Sequence, residues 1–310
     1  MRVVDLFCGC GGMSLGFENA GYELVASYDN WDAALNVYRQ NLKHPAHKAD
    51  LMESGHAAEQ ISKLDPEMII GGPPCQDYSS AGARDEDGGR AILTVKFAEI
   101  AAAVHPIWIV MENVSNIIKY SKVFEAFNIL KHAGYGLSWT VLNAALCGVP
   151  QRRKRFFMVA KLDAEDGFFD AEFTKNIAGK EMTVEDYFGD ALGIDAYYRH
   201  PRSYARRGVF SIKEPSPTIR GVNRPIPEGY KLHPNDPVSS LDNVRPLTTT
   251  ERARIQTFPD NFQFIGSKTE IEQMIGNAVP VKLAEHVALS IKHYLSMSEH
   301  SIEGKLKKSL

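Results

Sequence analysis

The stretch Met68-Ile69-Ile70-Gly71-Gly72-Pro73-Pro74-Cys75-Gln76 decides how this chain is read. A short apolar run of strand length stops at two glycines and two prolines, and a cysteine follows. Each proline fixes its own φ, and Pro74 also restricts Pro73, so a strand ending here holds the thiol on a stiff backbone at a sheet edge. Reactive groups are often placed on loops held by a rigid scaffold. Taken alone the signal is modest, because cysteine more often behaves as a small buried hydrophobe.

The flanking sequence repeats the same grammar. Arg2 to Phe7 reads as a strand, Cys8-Gly9-Cys10-Gly11-Gly12 as a glycine loop, and Met13 to Phe17 as the start of a helix that Gly21 ends. Such a loop lets a ligand approach the backbone, although a plain tight turn explains it nearly as well. The dinucleotide fingerprint G-x-G-x-x-G is not met, because Ser14 stands where the third glycine belongs, which disfavours a dehydrogenase. A second strand, Glu23 to Tyr28, ends at Asp29, where such folds place an acid for ribose hydroxyls. Asp32 is expected to cap the next helix, Asp32 to Leu42. Further elements follow at His47 to Asp50, Ala57 to Leu64, Val95 to Val104, Ile107 to Met111, Ser121 to Ala133, Leu137 to Leu142 and Arg155 to Ala160. Strands alternating with helices, in near-continuous apolar runs, predict an α/β fold with a mainly parallel sheet covered on both faces.

The pattern breaks after Leu162. From Arg199 to Arg224 there are seven cations (Arg199, Arg202, Arg206, Arg207, Lys213, Arg220 and Arg224) against one acid, Glu214, in a chain whose net charge is −3. Tyr197, Tyr198, Tyr204 and Phe210 interleave with them. That concentration favours phosphate contact over a merely solvated face. An apolar stripe at helical spacing returns at Val281, Ala284, Val287, Ala288, Ile291, Tyr294 and Leu295. A tail helix of this kind needs a core, and the α/β sheet supplies one. The expected layout is a discontinuous first domain, residues 1–163 and 267–310, with a smaller irregular domain, 164–266, inserted before the last helix.

Four scattered cysteines make no disulfide framework, and Cys8-Gly9-Cys10 lacks a second ligand pair, so no metal is expected. The first apolar run is too short and too charged for a leader, and none approaches the ~18 residues of a membrane span. A reducing, cytoplasmic setting is the expectation.

Read together, the motifs resemble the DNA (cytosine-5)-methyltransferase family of prokaryotic restriction-modification type. Asp5-Leu6-Phe7-Cys8-Gly9-Cys10-Gly11-Gly12 resembles its first cofactor motif, Gly72-Pro73-Pro74-Cys75-Gln76 its nucleophile motif and Glu112-Asn113-Val114 its acid motif. Gln151 to Arg155 resembles the paired-arginine motif. Arg245-Pro246-Leu247-Thr248, Glu251 to Arg254 and Phe258-Pro259-Asp260 resemble the motif that closes the variable region. Gly276-Asn277-Ala278-Val279-Pro280 resembles the last cofactor motif. Six motifs in the family's order make a specific signal. The resemblance implies a Rossmann-like S-adenosylmethionine-dependent sheet with 164–266 as the target-recognition domain, where only Ser216-Pro217-Thr218-Ile219 matches. One departure is Ala91, where the family's loop has a glycine after its arginine; alanine lacks glycine's φ freedom.

The implied reaction is methyl transfer from S-adenosylmethionine to carbon 5 of a flipped-out cytosine in duplex DNA. Cys75 adds to carbon 6 as a thiolate, helped by the charges of Arg153 and Arg155. Glu112, protonated in an apolar setting, relieves charge at the ring N3; a helix-start carboxylate is its competing reading. Arg155 is assigned to the cytosine O2, and Arg153 to orienting base and thiol. Arg152 and Lys154 alternate to the other side. The implied cofactor contacts are Phe7, Gly9, Gly11, Asp29, Asn30, Asp50, Pro74, Leu93, Asn277 and Val279, with Phe7 and Asp50 weakest on physical grounds. The implied DNA contacts are Gln76, Ser79, Arg90, Arg199, Arg202, Arg206, Arg207, Arg220 and Arg224, with Ser80 to Thr94 as a closing loop. Action as a monomer is expected, with a cognate restriction endonuclease in the same system and no direct contact to it. Cys8, Cys10 and Cys147 keep the ordinary buried reading. The alternatives are an RNA cytosine-5 methyltransferase and a catalytically silent DNA-binding homologue. An amino-methyltransferase is disfavoured because it would place an aromatic, not cysteine, beside Pro-Pro.

Overall fold

The computed structural model describes residues 1–74, 91–203 and 205–308, with side chains described up to residue 297. The main strands are β1 (Arg2–Leu6), β2 (Glu23–Asp29), β3 (Ala46–Lys48), β4 (Met68–Gly71), β5 (Trp108–Val114) and β6 (Tyr135–Asn143). A two-residue β7 (Gln151–Arg152) then leads into β8 (Lys154–Leu162). Between them run α1 (Gly12–Asn19), α2 (Asp32–Asn41), α3 (Ser54–Ser62), α4 (Ile92–Val104) and α5 (Ser121–His132). The sheet order is β3-β2-β1-β4-β5-β8-β6. Five neighbouring strands are parallel, and β8 runs antiparallel between β5 and β6. The short loop from β6 through β7 permits only that return, since a parallel neighbour needs a crossover of a dozen or more residues.

Alternation along the strands sorts the core into two layers. Val4, Ile69, Ile109, Met111, Phe156 and Met158 face one cluster with Ala57, Phe97, Ala98 and Phe127 from α3, α4 and α5. Val3, Met68, Ile70, Trp108, Val110, Phe157 and Val159 face the other. There they meet Phe17 of α1 and Leu283, Ala284, Val287 and Ile291 of the last helix. The expected tail-helix stripe therefore covers the sheet face left open by α3 to α5.

The remaining elements are short: α6 (Asp170–Thr174), α7 (Val184–Phe188), β9 (Ala196–Tyr198), β10 (Val209–Ser211), β11 (Ser216–Pro217), β12 (Arg245–Pro246), α8 (Thr249–Ile255), α9 (Lys268–Asn277) and α10 (Val281–Lys308). A three-stranded sheet, β10-β9-β12, carries a small core of Ala196, Tyr198 and Val209 with Tyr230, Val238 and Leu241 against it. Phe169 and Phe173, although they follow Leu162, pack with Trp108 on the large sheet.

Two local expectations need correction. Asp32 does not cap α2; Trp31 is the cap residue without a side-chain bond, and Asp32 pairs with Lys48. Asp29 supplies the missing acceptor, taking the Trp31 N–H on Oδ1 at 2.9 Å. Ala91, at φ −61° and ψ −32°, precedes α4 in a right-handed helical conformation that suits alanine, so glycine's freedom is not needed there.

Candidate active site

At the carboxyl ends of β1, β2, β4 and β5 lies a cleft of about 1520 Å³, the position where open α/β sheets bind ligands. Its volume exceeds the roughly 300–1,000 Å³ of ordinary small-molecule pockets, which leaves room for a second bound group. Among the described residues, one wall is the glycine loop (Phe7, Cys8, Gly9, Cys10, Gly12) with Asp29, Asn30 and Trp31. Gly72, Pro73, Pro74, Leu93, Glu112 and Asn113 form another, and Arg153, Arg155, Arg202, Thr218, Arg220, Asn277 and Val279 complete it.

Local physics places each group. Phe7 takes a left-handed φ of 60°, uncommon for a bulky residue and a form of strain that clusters at functional sites. Asp29 Oδ2 accepts the Gly9 N–H at 2.8 Å, so this acid fixes the glycine loop to the end of β2. Burial raises its pKa against those backbone bonds. A Cβ on Gly12 would stand 2.4 Å from the Val279 carbonyl; only glycine lets the segment before α10 close against the first loop.

Glu112 belongs to β5 and is 8 % exposed, which disposes of the helix-start reading. Its Oε1 lies 2.8 Å from Arg155 Nε. Its Oε2 lies 3.2 Å from where a Gly72 Cβ would be, so the carboxylate rests on the loop that leads into Cys75. Asn113 Nδ2 donates to the Pro73 carbonyl at 3.0 Å and locks that loop to β5. Burial raises the Glu112 pKa, while Arg155 and Arg153 pull it down. The opposition keeps a carboxylate that pairs with arginine within reach of protonation.

Arg153 lines the cleft, and its hydrogen bonds run to backbone. It is 1 % exposed, and its guanidinium donates to the carbonyls of Ile219 (3.0 Å), Gly276 (3.0 Å) and Ala278 (3.1 Å). It ties β7 and β8 to two distant segments. Arg152 and Lys154 are exposed, as the alternation predicts, but both still line the outer part of the cleft, where Arg152 pairs with Glu181 at 2.7 Å.

Other assignments divide. Phe7, Gly9, Asp29, Asn30, Pro74, Leu93, Asn277 and Val279 line the cleft; Gly11 and Asp50 are not among its lining. Asp50 is exposed and accepts the Met52 N–H in a local turn. Of the basic stretch, Arg202 and Arg220 reach the cleft. Arg207 pairs with Glu214 and stacks on Phe210 at 4.2 Å; Arg199 donates to the Thr218 carbonyl at 2.8 Å. Burial presses the Arg199 pKa down to about 10. Arg206 and Arg224 are exposed. Cys75, Gln76, Ser79 and Arg90 lie outside the described residues. Cys8, Cys10 and Cys147 are buried free thiols; burial raises each pKa, to about 12 for Cys10 and Cys147, and leaves them poor nucleophiles.

Sequence reasoning missed Trp31, the unpaired oxygen of Asp5 and the bridging role of Asn113. Trp31 follows Asp29-Asn30 directly, and that proximity was the available signal. Asp5 is 1 % exposed, lines the cleft, and has an Oδ1 with no hydrogen-bond partner. A second cavity of about 390 Å³ lies between α8 and α9, but Asp260, the acid in its lining, is already paired with Arg254. Among the described residues no cluster of His, Cys, Asp and Glu is placed to hold a metal, and no helix is long and apolar enough to cross a membrane.

Comparison with known proteins matches this architecture. The profile of the C-5 cytosine-specific DNA methylase family covers residues 1–293. Type II methyltransferase M.HindV of Haemophilus influenzae is 52% identical over 95% of this chain and 97% of its own. Type II methyltransferase M.HgiDI of Herpetosiphon aurantiacus is 53% identical over 96% of each chain. The fold is shared with the S. pombe Dnmt2 methyltransferase (TM-score 0.69, 18% identity, 94% of this chain and 98% of that one). It is shared also with the Entamoeba histolytica methyltransferase EhMeth (TM-score 0.65, 17% identity, 95% and 97%). With a matching family profile over nearly its whole length and relatives more than half identical to it, the chain is a member of the C-5 cytosine-specific DNA methylase family.

Proposed function

We propose that this DNA cytosine-5 methyltransferase takes its methyl group from S-adenosylmethionine and acts on a flipped-out cytosine within a specific duplex sequence, through a covalent bond to Cys75. One observation supports this most: the Glu112 carboxylate, paired with Arg155, rests on Gly72 just before Pro73-Pro74-Cys75, in the cleft walled by the glycine loop. The cleft residues fit such a donor. Phe7 and Trp31 offer apolar surface, Asp29 closes the end of β2, and Asp5 holds an unsatisfied buried oxygen. When bound, the donor supplies an electrophilic methyl group on a cationic sulfur.

Carbon 5 of cytosine is a weak nucleophile. The Cys75 thiolate adds to carbon 6, the ring π electrons move toward carbon 5 and N3, and a protonated Glu112 donates to N3. Carbon 5 then takes the methyl group. Loss of the carbon-5 proton to solvent, expulsion of the thiolate and return of the N3 proton to Glu112 restore the ring and the acid. Arg155 holds Glu112 and faces the base; Arg153 positions β7 and β8 around them.

Arg202 and Arg220 contact DNA from the cleft wall, with Arg206 and Arg224 meeting phosphates further out. Arg199 and Arg207 act mainly by shaping that surface. The division into 1–163 with 267–310 and 164–266 belongs to the same reading, supported by the small separate core around Tyr198. The protein acts as a monomer in the cytoplasm, within a restriction-modification system. Expression in a host without DNA methylation tests the function, using bisulfite sequencing and nucleoside mass analysis. The expected result is 5-methylcytosine confined to one short sequence; unmodified DNA, or N-methylated bases, would overturn it.

A further inference from the structure

Beneath the glycine loop, a line of buried polar side chains leads away from the cleft. Ser14 Oγ donates to Asp5 Oδ2 at 2.5 Å, and Tyr38 Oη donates to Ser14 Oγ at 2.9 Å. Tyr38 Oη also lies 2.7 Å from His44 Nδ1 and 2.5 Å from Ser27 Oγ. His44 Nε2 has no hydrogen-bond partner and stands 3.7 Å from Glu18 Oε2, on a side chain 44% exposed. At the other end, Asp5 lines the cleft, and its buried Oδ1 has no hydrogen-bond partner. Buried polar groups are seldom left this way without a ligand or an unusual role.

We propose that Asp5, Ser14, Tyr38 and His44 form a proton relay, through which the cationic amino group of the methyl donor, held at Asp5, charges His44. The inference rests on reading the cleft as the donor site. The chain can be wired in two directions. In one, Asp5 is protonated on Oδ2 and donates to Ser14, Ser14 to Tyr38, and Tyr38 to a neutral His44 whose Nε2–H faces Glu18. In the other, the Asp5 proton has passed to Ser14, the Ser14 proton to Tyr38 and the Tyr38 proton to His44 Nδ1. Asp5 is then a carboxylate and His44 an imidazolium facing Glu18. No proton is gained or lost, and no oxygen in the line is left bare. A cation at Asp5 favours the second wiring.

Burial lifts the Asp5 pKa to about 7, which makes both forms accessible near neutrality, and burial lowers that of His44 while Glu18 opposes it. The charged or titratable groups facing the line are Asp29 and Cys8, beside Asp5 and Tyr38, and Glu18, beside His44. Lys43, next to His44 in sequence, is exposed.

The test is NMR of full-length protein with labelled histidine, titrated with S-adenosylhomocysteine, which keeps the amino group, and with methylthioadenosine, which lacks it. S-adenosylhomocysteine is expected to move the His44 ring signals to those of an imidazolium, and methylthioadenosine to leave them neutral. Tyr38→Phe, which keeps the ring and removes the link, is expected to abolish the response and weaken S-adenosylhomocysteine about tenfold, the equivalent of one pKa unit. His44→Gln, at a site nearer the surface, is expected to weaken it similarly. Binding with an unchanged His44, or equal charging by both ligands, overturns the relay and leaves the donor site standing. If neither ligand binds, the donor reading falls and the relay with it.

Discussion

Arginines do opposite work in two regions of this molecule. Beside the sheet edge, Arg153 and Arg155 are two residues apart on an extended segment, yet one is sealed among backbone carbonyls and the other is paired with the acid of the cleft. In the basic stretch, seven cations that look alike in sequence separate into Arg199 and Arg207, committed to internal partners, Arg202 and Arg220, at the cleft, and Arg206, Lys213 and Arg224, exposed to solvent. Charge in a sequence reports that a region is cationic. Which cations meet a ligand is set by burial and by partners far along the chain.

The sharpest way to break the contrast is at Glu112. Glu112→Gln keeps the shape but has no proton of the right acidity to give, so kcat should fall about 10²–10⁴-fold, with duplex binding close to wild type in a filter or anisotropy assay. A matching change at Arg206 should leave kcat at saturating DNA unaltered.

Asp5 gives the next effect, on stability. Its folded pKa of about 7 stands above the ordinary 3.8. The unfolded chain therefore releases this proton first as pH rises, and the native state binds more protons between about pH 4 and 7. Stability should fall across that window, by at most about 4 kcal/mol, and level off above it. Asp5→Asn should flatten that slope in urea denaturation; an unchanged slope would show that Asp5 is ionised in the fold well below neutrality.

Arg153→Ala should cost about 3 kcal/mol in the same assay, because buried carbonyls lose their donors. Arg153→Lys should recover little, since an ammonium cannot span three acceptors in the guanidinium geometry. Smallest of all, Arg206→Ala and Arg224→Ala should each reduce the salt dependence of duplex binding by about one unit of slope, with stability unchanged. Arg207→Ala should instead lower stability by about 1 kcal/mol.

How much was legible follows the same line. The alternation of Met68, Ile69 and Ile70 between two core layers is written in the apolar runs, and so is the tail helix that covers one face. The motif order placed Glu112, Asp29 and Pro74 around one cleft. The bonds of Arg153 were not legible, because Ile219 and Gly276, its acceptors, stand far off in sequence, and hydrogen bonds to backbone leave no side-chain pattern to read. Asp32 was expected to cap α2, but Asp29 reaches the same helix start from the end of β2. Asp5 read as part of a cofactor motif, while its unpaired oxygen and the line through Ser14 and Tyr38 to His44 exist only once α1 and α2 pack on the sheet.

The proposed reaction turns on a covalent bond at Cys75 formed beside Glu112. A duplex carrying 5-fluorocytosine at the target position measures it most directly, because fluorine replaces the proton whose loss frees the enzyme. With S-adenosylmethionine present, the predicted result is a stable protein–DNA complex. Its peptide map should place the bond at Cys75, and Cys75→Ser should form none. Release of methylated fluorocytosine DNA without a complex, or a bond at another residue, would contradict it.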